Sequence, residues 1–158
     1  MTRVIIHVWL PHLASERLRR IGEVPAGQPL VLTGSYHGAD LIDSVCQQAH
    51  RLGLRTGMRL ADARALCPEL ISRDSDADAD RQDLHHVARW ARRYSPLTAP
   101  APAEITGAGA CIAHDGNGVW LDVAGAAHLQ GGVRPLLADI SRRLRKAGLT
   151  ARLAVAPT

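Results

Sequence analysis

Residues 51–70, Arg-Leu-Gly-Leu-Arg-Thr-Gly-Met-Arg-Leu-Ala-Asp-Ala-Arg-Ala-Leu-Cys-Pro-Glu-Leu, constrain the fold more than any other part of the chain. Gly53 suits the left-handed residue that closes a helix, and Gly57 suits a second tight backbone position. Apolar residues then recur at helical spacing from Leu60 until Pro68 stops the run. The segment therefore predicts a helix end, a glycine turn and a second short helix, packed together against a core.

Hydrophobic periodicity elsewhere switches between strand and helix patterns. Leaving aside the insert up to residue 72, the order is strand, helix, hairpin, helix, strand, which is typical of an α+β, ferredoxin-like layer of helices on one sheet. Residues 115–118, Asp-Gly-Asn-Gly, indicate a hairpin turn, and the prolines within residues 96–102 indicate an extended link. The acidic run 74–80 is expected to be a loop that leads into a helix. We expect strands at 4–10, 30–32, 41–45, 110–113, 119–123 and 151–156, a turn at 35–40, and helices at 14–21, 46–52, 81–94 and 133–147.

Composition is compatible with one domain, or with two small lobes, in 158 residues. Hydrophobic residues make up 46% of the chain and Phe is absent, so the core must be built from Leu, Val, Ile and Ala. The formal net charge is +4, and Lys146 is the only lysine. Arginine forks suit phosphate and carboxylate partners, so nucleic-acid binding is permitted but not required by this composition.

The sequence favours a reduced, cytoplasmic protein without a metal site or cofactor. Three cysteines, Cys46, Cys67 and Cys111, are widely spaced and form no CxxC pair. There is no apolar run of membrane-spanning length, and the apolar start of the chain is too short for a secretion signal. No two of the eight histidines are three or four residues apart, as a helical pair of histidine ligands would be, and the acidic run 74–80 lacks the glycine of a Ca²⁺ loop.

Several segments resemble motifs of the Y-family (translesion) DNA polymerases, in the family's own order. Residues 51–70 resemble the fingers segment "ARxxGVRxGMPLxEARxLCPxL", and residues 92–97, Arg-Arg-Tyr-Ser-Pro-Leu, resemble the "RRYTPxVE" end of a palm helix. Residues 119–125 resemble the strand "EAFLDVTG", and residues 148–156 resemble "GLTASVGIA". The longer wording of residues 120–132 is similar to the ImuB-type branch of the family, which belongs to bacterial mutagenesis cassettes and is regarded as having lost polymerase chemistry.

This resemblance implies a domain organisation. Residues 1–10 and 73–158 would form a palm-like subdomain with a ferredoxin-like sheet and helices on one face. Residues 11–72 would form a small, mostly helical fingers-like subdomain inserted after the first strand. The thumb, little finger and C-terminal tail of full-length members would be absent, so the chain is expected to be an N-terminal palm and fingers fragment.

The resemblance also implies that the carboxylates of the family's catalytic site are missing. Active members hold two metal ions with an acid from the first strand and an Asp-Glu pair from the hairpin. In place of "DMDAFFAS" this chain has residues 8–15, so the acids fall on Val8 and Leu10. The hairpin pair falls on Asn117 and Gly118.

Two further family contacts are replaced as well. The "YEAR" segment that contacts the incoming triphosphate corresponds to residues 47–50, so its Tyr and Arg are replaced by Gln47 and His50. The aromatic residue that excludes ribonucleotides falls on Leu13. The resemblance therefore implies a pseudoenzyme without metal or cofactor.

The implied function is a scaffold or adaptor in damage-induced (SOS) translesion synthesis and mutagenesis, in the cytoplasm and without membrane contact. The implied mutasome partners are a RecA-like accessory protein, an error-prone replicative-type DNA polymerase, and the sliding clamp through a region absent here; DNA is a further candidate partner. The residues expected to contact DNA or a partner are arginines, although a solvated helix face remains the alternative for each cluster: Arg17, Arg19, Arg20, Arg55, Arg59, Arg89, Arg92, Arg93, Arg142, Arg143 and Arg145.

Two other interpretations are left open by the residues. The first is an active error-prone DNA polymerase with a displaced carboxylate set drawn from Glu104, Asp115 and Asp122. The second is a ferredoxin-like binding module without polymerase ancestry.

Overall fold

The computed structural model describes residues 3–101 and 117–157. These form two compact units, which we call the outer unit (3–11, 81–101 and 117–157) and the inserted unit (12–80). A short 3-10 helix, Ala127–Gln130, accompanies the regular elements. In chain order the elements are β1 (Val4–Trp9), α1 (Leu13–Arg20), β2 (Leu30–Tyr36), β3 (Ala39–Val45), α2 (Gln47–Arg51), α3 (Leu60–Leu66), β4 (Ile71–Asp74), α4 (Ala77–Ala91), β5 (Thr98–Pro100), β6 (Gly118–Asp122), α5 (Val133–Lys146) and β7 (Arg152–Pro157).

The outer unit is a four-stranded sheet in the order β5-β6-β1-β7, and all neighbouring strands are antiparallel. Side chains alternate between its two faces, so Ile6, Val8 and Leu121 are buried on one face. Helices α4 and α5 each present a buried apolar stripe at helical spacing. The predicted α+β layering of two helices on one sheet is therefore confirmed for this unit.

Helix α4 begins earlier than the sequence analysis predicts. Residues 77–80, expected to be a loop, form the first turn of the helix. The carboxylate of Asp76 accepts a hydrogen bond from the backbone N–H of Ala79 at 2.9 Å, so Asp76 acts as the N-cap. Asp78 and Asp80 lie in the first turn, where negative charge stabilises a helix.

Strand β6 also pairs with a strand that the sequence analysis does not predict. Residues 98–100, expected to be an extended link, form the edge strand β5. An edge position tolerates the proline at the end of this strand. The expected strand at 110–113 and the first half of the expected turn at 115–118 lie outside the described residues. The predicted strand at 151–156 is confirmed as β7, and Gly148 adopts the positive φ of a helix end.

The inserted unit contains a three-stranded sheet in the order β3-β2-β4. Strands β2 and β3 form an antiparallel hairpin, whereas β4 runs parallel to β2. The two residues of the hairpin turn, His37 and Gly38, both have positive φ (50° and 80°), which is the geometry favoured for a tight two-residue turn. The expected turn at 35–40 is therefore shorter than predicted, because the strands continue to Tyr36 and from Ala39.

The short helices α1, α2 and α3 pack around one apolar cluster of the inserted unit, which includes Leu18, Leu30 and Leu54. Gly53 follows α2 with a φ of 90°, and Gly57 has a φ of 83°, so both glycine predictions are confirmed. Because of its three-stranded sheet, this unit contains more β-structure than the description "mostly helical" implies. In the part of the chain that the structure describes, no helix combines the length and apolar character needed to cross a membrane.

Candidate functional site

The two segments that correspond to the acid positions of the Y-family meet at one end of the outer unit's sheet. In the antiparallel register of β1 and β6, Val8 lies opposite Val119 and Trp9 lies opposite Gly118. Beyond the paired strands, the backbone N–H of Leu10 donates to the carbonyl of Asn117 at 2.8 Å. The four positions Val8, Leu10, Asn117 and Gly118 are therefore close neighbours, and we call this place the strand ends.

At the strand ends, Val8 of β1 and Leu10, which follows that strand, are buried. The exposed fraction is 2% for Val8 and 0% for Leu10. The side chains on the opposite, accessible face are those of His7 and Trp9. Sequence analysis did not single out these two residues, although the period-2 alternation of a half-buried strand could have identified them.

His7 occupies the space beside Gly118. A Cβ atom at position 118 would lie 2.2 Å from His7 Nε2, which is far inside van der Waals contact. A larger side chain at position 118 therefore requires the imidazole to move. Glycine at this position and histidine at position 7 are sterically matched.

The accessible face carries two aromatic contacts, and we call the residues His7, Trp9, Trp120 and Arg152 the aromatic face. The rings of His7 and Trp120 are stacked, with centroids 4.1 Å apart and an angle of 22° between their planes. The guanidinium carbon of Arg152 lies 5.2 Å from the centroid of the Trp9 ring, which is within cation–π range. Trp120 is nevertheless 43% exposed.

Burial lowers the pKa of His7 below its usual value, because the charged imidazolium is poorly solvated there. Its Nε2 atom is buried and has no hydrogen-bond partner within the described residues. A neutral ring stacks on an indole without the cost of desolvating a charge.

The residues at the strand ends do not fit a pair of divalent cations. Val8 and Leu10 supply no ligand atoms, and Gly118 has no side chain. Carboxylate oxygens are the ligands that such ions prefer, and Asn117 offers at most a carbonyl. Across residues 3–101 and 117–157, no group of three or more His, Cys, Asp and Glu side chains is arranged to hold a metal ion.

Asp122 is the one acid of the displaced-carboxylate alternative that the structure describes. Its Oδ2 atom lies 2.6 Å from Arg3 Nε, and this hydrogen bond holds the pKa of the carboxyl below its usual value. Asp122 pairs with Ile5 in the β1–β6 register, several residues from the strand ends. Glu104 and Asp115 lie outside the described residues.

The two positions that correspond to the triphosphate contact lie on α2 of the inserted unit. Gln47 is the first residue of this helix, and both Gln47 and His50 are exposed. The carbonyl of His50 accepts a hydrogen bond from Arg55 at 2.7 Å. Leu13, at the position of the excluding aromatic, is fully buried.

Two arginines of the inserted unit that are expected to contact DNA or a partner make contacts within the unit. Arg17 Nε lies 2.7 Å from Asp80 Oδ1, and its side chain is 13% exposed. Arg19 donates to the carbonyl of Gln28 at 2.7 Å and to the side chain of Gln48 at 3.0 Å. Both guanidinium groups therefore have structural partners. The other three candidates in this unit, Arg20, Arg55 and Arg59, are exposed.

In the outer unit, two of the arginines expected to contact DNA or a partner, Arg142 and Arg143, bind the carboxylate of Asp139. It accepts hydrogen bonds from Arg142, from Arg143 at 2.8 Å and from the hydroxyl of Tyr94 at 2.7 Å. The hydrogen bond from Tyr94, supported by the two arginines, lowers the pKa of Asp139 to about 2. Burial, together with the bond to Asp139, raises the pKa of Tyr94 to about 12. The remaining candidates, Arg89, Arg92, Arg93 and Arg145, are exposed.

Comparison with known proteins decides the family. The sequence profile of the impB/mucB/samB family matches residues 13–158. The chain belongs to this family. Among its curated relatives is Protein ImuB of Caulobacter vibrioides (strain NA1000 / CB15N), to which it is 38% identical over 108 residues, or 68% of this chain. DNA polymerase IV of Shewanella sp. (strain W3-18-1) is 28% identical over 158 residues, or 98% of this chain.

The structures that resemble this impB/mucB/samB member are Y-family polymerases. A post-insertion binary complex of Dbh DNA polymerase superposes with a TM-score of 0.77 at 18% identity over 98% of this chain. DinB from Sulfolobus solfataricus gives a TM-score of 0.75, also at 18% identity over 98% of this chain. The predicted family resemblance and fold class are thus confirmed. The chain spans 20% of the ImuB relative, 40% of the polymerase IV relative and 42% of each of these two structures.

Proposed function

We propose that this chain is the palm and fingers portion of a Y-family polymerase homologue that acts as a non-catalytic scaffold in damage-induced translesion synthesis and mutagenesis. The proposal depends mainly on one observation, which is that the His7 side chain occupies the space beside Gly118 at the strand ends. His7 Nε2 lies 2.2 Å from where the Cβ of an acid at position 118 would be. Position 118, where active members carry an acid, is therefore a glycine with the His7 imidazole against it, and neither residue supplies the carboxylate that two-metal chemistry requires.

In this proposal the outer unit is the palm and the inserted unit is the fingers, with boundaries at residues 1–10 and 73–158 for the palm and 11–72 for the fingers. The profile match across 13–158 and the likeness to the Dbh and DinB structures support this division.

The proposed partners follow from the ImuB-type resemblance, which the 38% identity to Protein ImuB supports. They are a RecA-like accessory protein, an error-prone replicative-type DNA polymerase and, through sequence outside this chain, the sliding clamp. The exposed arginines of α4 and the turn after it, Arg89, Arg92 and Arg93, are the best placed of the predicted set for contact with DNA or a partner. The proposed location is the cytoplasm.

A primer-extension assay on the full-length protein tests the absence of catalysis. With Mg²⁺ or Mn²⁺ and all four nucleotides, we expect no incorporation above a protein-free control, while a DNA polymerase IV relative extends the same primer. An active-site carboxylate set cannot be lost without removing the ions that neutralise the developing charge.

The alternative is an active polymerase that uses displaced acids, and the 28% identity to DNA polymerase IV across 98% of the chain favours it. Metal-dependent incorporation that Asp115→Ala or Asp122→Ala abolishes would establish this alternative. Incorporation that persists in both variants would indicate contamination by another polymerase. Repeating the assay with independently purified protein would test for this contamination.

A further inference from the structure

The accessible face of the outer unit's sheet presents flat rings beside a cation. We propose that this aromatic face binds single-stranded DNA, by stacking an unpaired base on Trp120 and placing Arg152 next to the DNA backbone. The identification of the ligand as DNA rests on the proposed function, whereas the stacking chemistry rests on the geometry alone.

Trp120 is prepared for a second flat partner. Its indole is already stacked on His7 at a centroid separation of 4.1 Å, which fixes the ring orientation. The side chain is still 43% exposed, which is a large apolar area to leave in water. Every nucleobase has a π face, so stacking on an aromatic side chain is tolerant of sequence.

The residues around these rings are small. Ala99 of β5 lies opposite Trp120, and Ala154 of β7 lies opposite His7. Directly opposite residues of neighbouring strands share a face of the sheet, so alanines flank the stacked pair on both sides. Gly118 adds no side chain at the end of β6. The rings therefore project above their small neighbours, and a base can approach the Trp120 ring from the side.

The charges on this face suit a polyanion. Arg152 is exposed, and its guanidinium lies over the Trp9 ring, which holds the planar cation in place. The nearest acid along β6, Asp122, is neutralised by Arg3 at 2.6 Å. Stacked arginine retains its hydrogen-bond donors in the plane of the group, where phosphate oxygens can accept them.

Duplex DNA cannot satisfy this site, because its bases are already stacked on each other. Binding should therefore need an unpaired strand, as on aromatic platforms in general. The helix α4 offers a matched control within the same unit. Trp90 also has an arginine over its ring, since the guanidinium carbon of Arg93 lies 5.1 Å from the ring centroid, but this pair is on a helix and not on the sheet.

The test is fluorescence anisotropy of a labelled oligo(dT) of about 12 nucleotides, titrated with the 158-residue chain at low salt. Trp120→Ala should weaken binding by about 5- to 150-fold, which is the range for loss of one base–aromatic stack. Trp120→Tyr should retain most of the affinity because it keeps an aromatic ring. Trp90→Ala should bind as the parent does. Thermal melting of each variant confirms that it is folded.

Arginine variants give a second readout that does not depend on the rings. Removal of one phosphate contact reduces the slope of log affinity against log salt by about 0.7 for a single strand. We expect this reduction for Arg152→Ala, and a smaller one or none for Arg134→Ala, since Arg134 is an exposed arginine of α5 outside the aromatic face.

The proposal is overturned if Trp120→Ala binds oligo(dT) like the parent, or if Trp90→Ala loses as much affinity. It is equally overturned if a blunt duplex of the same length binds as tightly, or if oligo(rU) binds more tightly than oligo(dT). These outcomes leave the non-catalytic scaffold intact, since primer extension does not read Trp120. Primer extension by the parent protein would overturn the scaffold without affecting the stacking result.

Discussion

The glycine-punctuated segment of the inserted unit and the strand ends of the outer unit have diverged from the Y-family pattern to different extents. In the first, Gly53 and Gly57 take the positive φ values that the family's wording leads one to expect, and Leu54 between them is fully buried. In the second, the backbone meets as the family pattern requires, but the side chains are rings and aliphatic groups. Scaffold geometry is retained in both regions, whereas the charged groups of the second are gone. The fold of this unit therefore does not depend on carboxylates at the strand ends.

The largest effect should come from the core of the retained segment. Leu54 is 0% exposed, so Leu54→Ala should lower the free energy of unfolding by about 2–5 kcal/mol, through lost burial and the cavity left behind. Leu52, two residues earlier and 54% exposed, provides the matched control, and Leu52→Ala should cost less than about 0.5 kcal/mol. Urea denaturation measures both values. Equal effects would mean that this segment does not pack as described.

The next effect sharpens the contrast at the strand ends. Gly118→Glu forces the His7 ring away from its stack on Trp120, so we expect a loss of about 1–3 kcal/mol in unfolding free energy. The double variant with His7→Ala should recover part of this loss, because the obstructing ring is gone. Gly125→Glu is the control, since nothing lies within 4 Å of a Cβ at that position. A destabilisation by Gly118→Glu that is unchanged in the His7→Ala background would contradict the steric account.

Backbone conformation in the retained segment should give a somewhat smaller effect. Gly53 has a φ of 90° and open space where a Cβ would stand, so Gly53→Ala tests the conformation alone. The left-handed region costs an L-residue about 1–2 kcal/mol, and thermal or urea unfolding should show a loss of this size. Gly125→Ala, at a position without positive φ, should be close to neutral by the same measurement. If the two alanine variants were equally stable, Gly53 would not require its left-handed conformation.

The smallest effect concerns the carboxylate of Asp139, on helix α5 of the outer unit. The folded-state pKa of Asp139 is lowered from 3.8 to about 2, chiefly by the hydrogen bond from Tyr94. A lowered folded pKa contributes stability above the unfolded pKa, and this contribution is lost as the pH falls from about 4 toward about 2. Melting temperatures across this window should therefore fall more steeply for the parent than for Asp139→Asn. Parallel curves for the two proteins would show that Asp139 does not stabilise the fold by this route.

Much of the fold could be predicted from local sequence signals. The β1 strand, the glycine turn at Gly53 and the amphipathic α5 are all encoded by nearby residues, which is why periodicity and turn chemistry identify them. Strand β5 could not be recognised in this way, because three residues with a proline become a strand only through pairing with β6. The start of α4 depends on the Asp76 cap, and a run of acids did not distinguish this cap from a loop.

The candidate site was only half predictable. The motif order placed Val8 and Gly118 near each other, since both belong to segments that the family pairs in one sheet. The identity of the side chains on the accessible face follows from strand alternation alone. The position of the His7 ring beside Gly118 depends on its stack with Trp120, a residue more than a hundred positions away, and no local pattern encodes it.

The fit between His7 and Gly118 also bears on how such a protein changes over generations. A mutation that restored an acid at position 118 would meet the imidazole first and lose stability before any metal could compensate for it. A mutation that removed the imidazole first would gain nothing on its own. For the proposed non-catalytic scaffold, a gain of polymerase chemistry would need both changes together with an acid on β1, so single mutations would not lead back to catalysis.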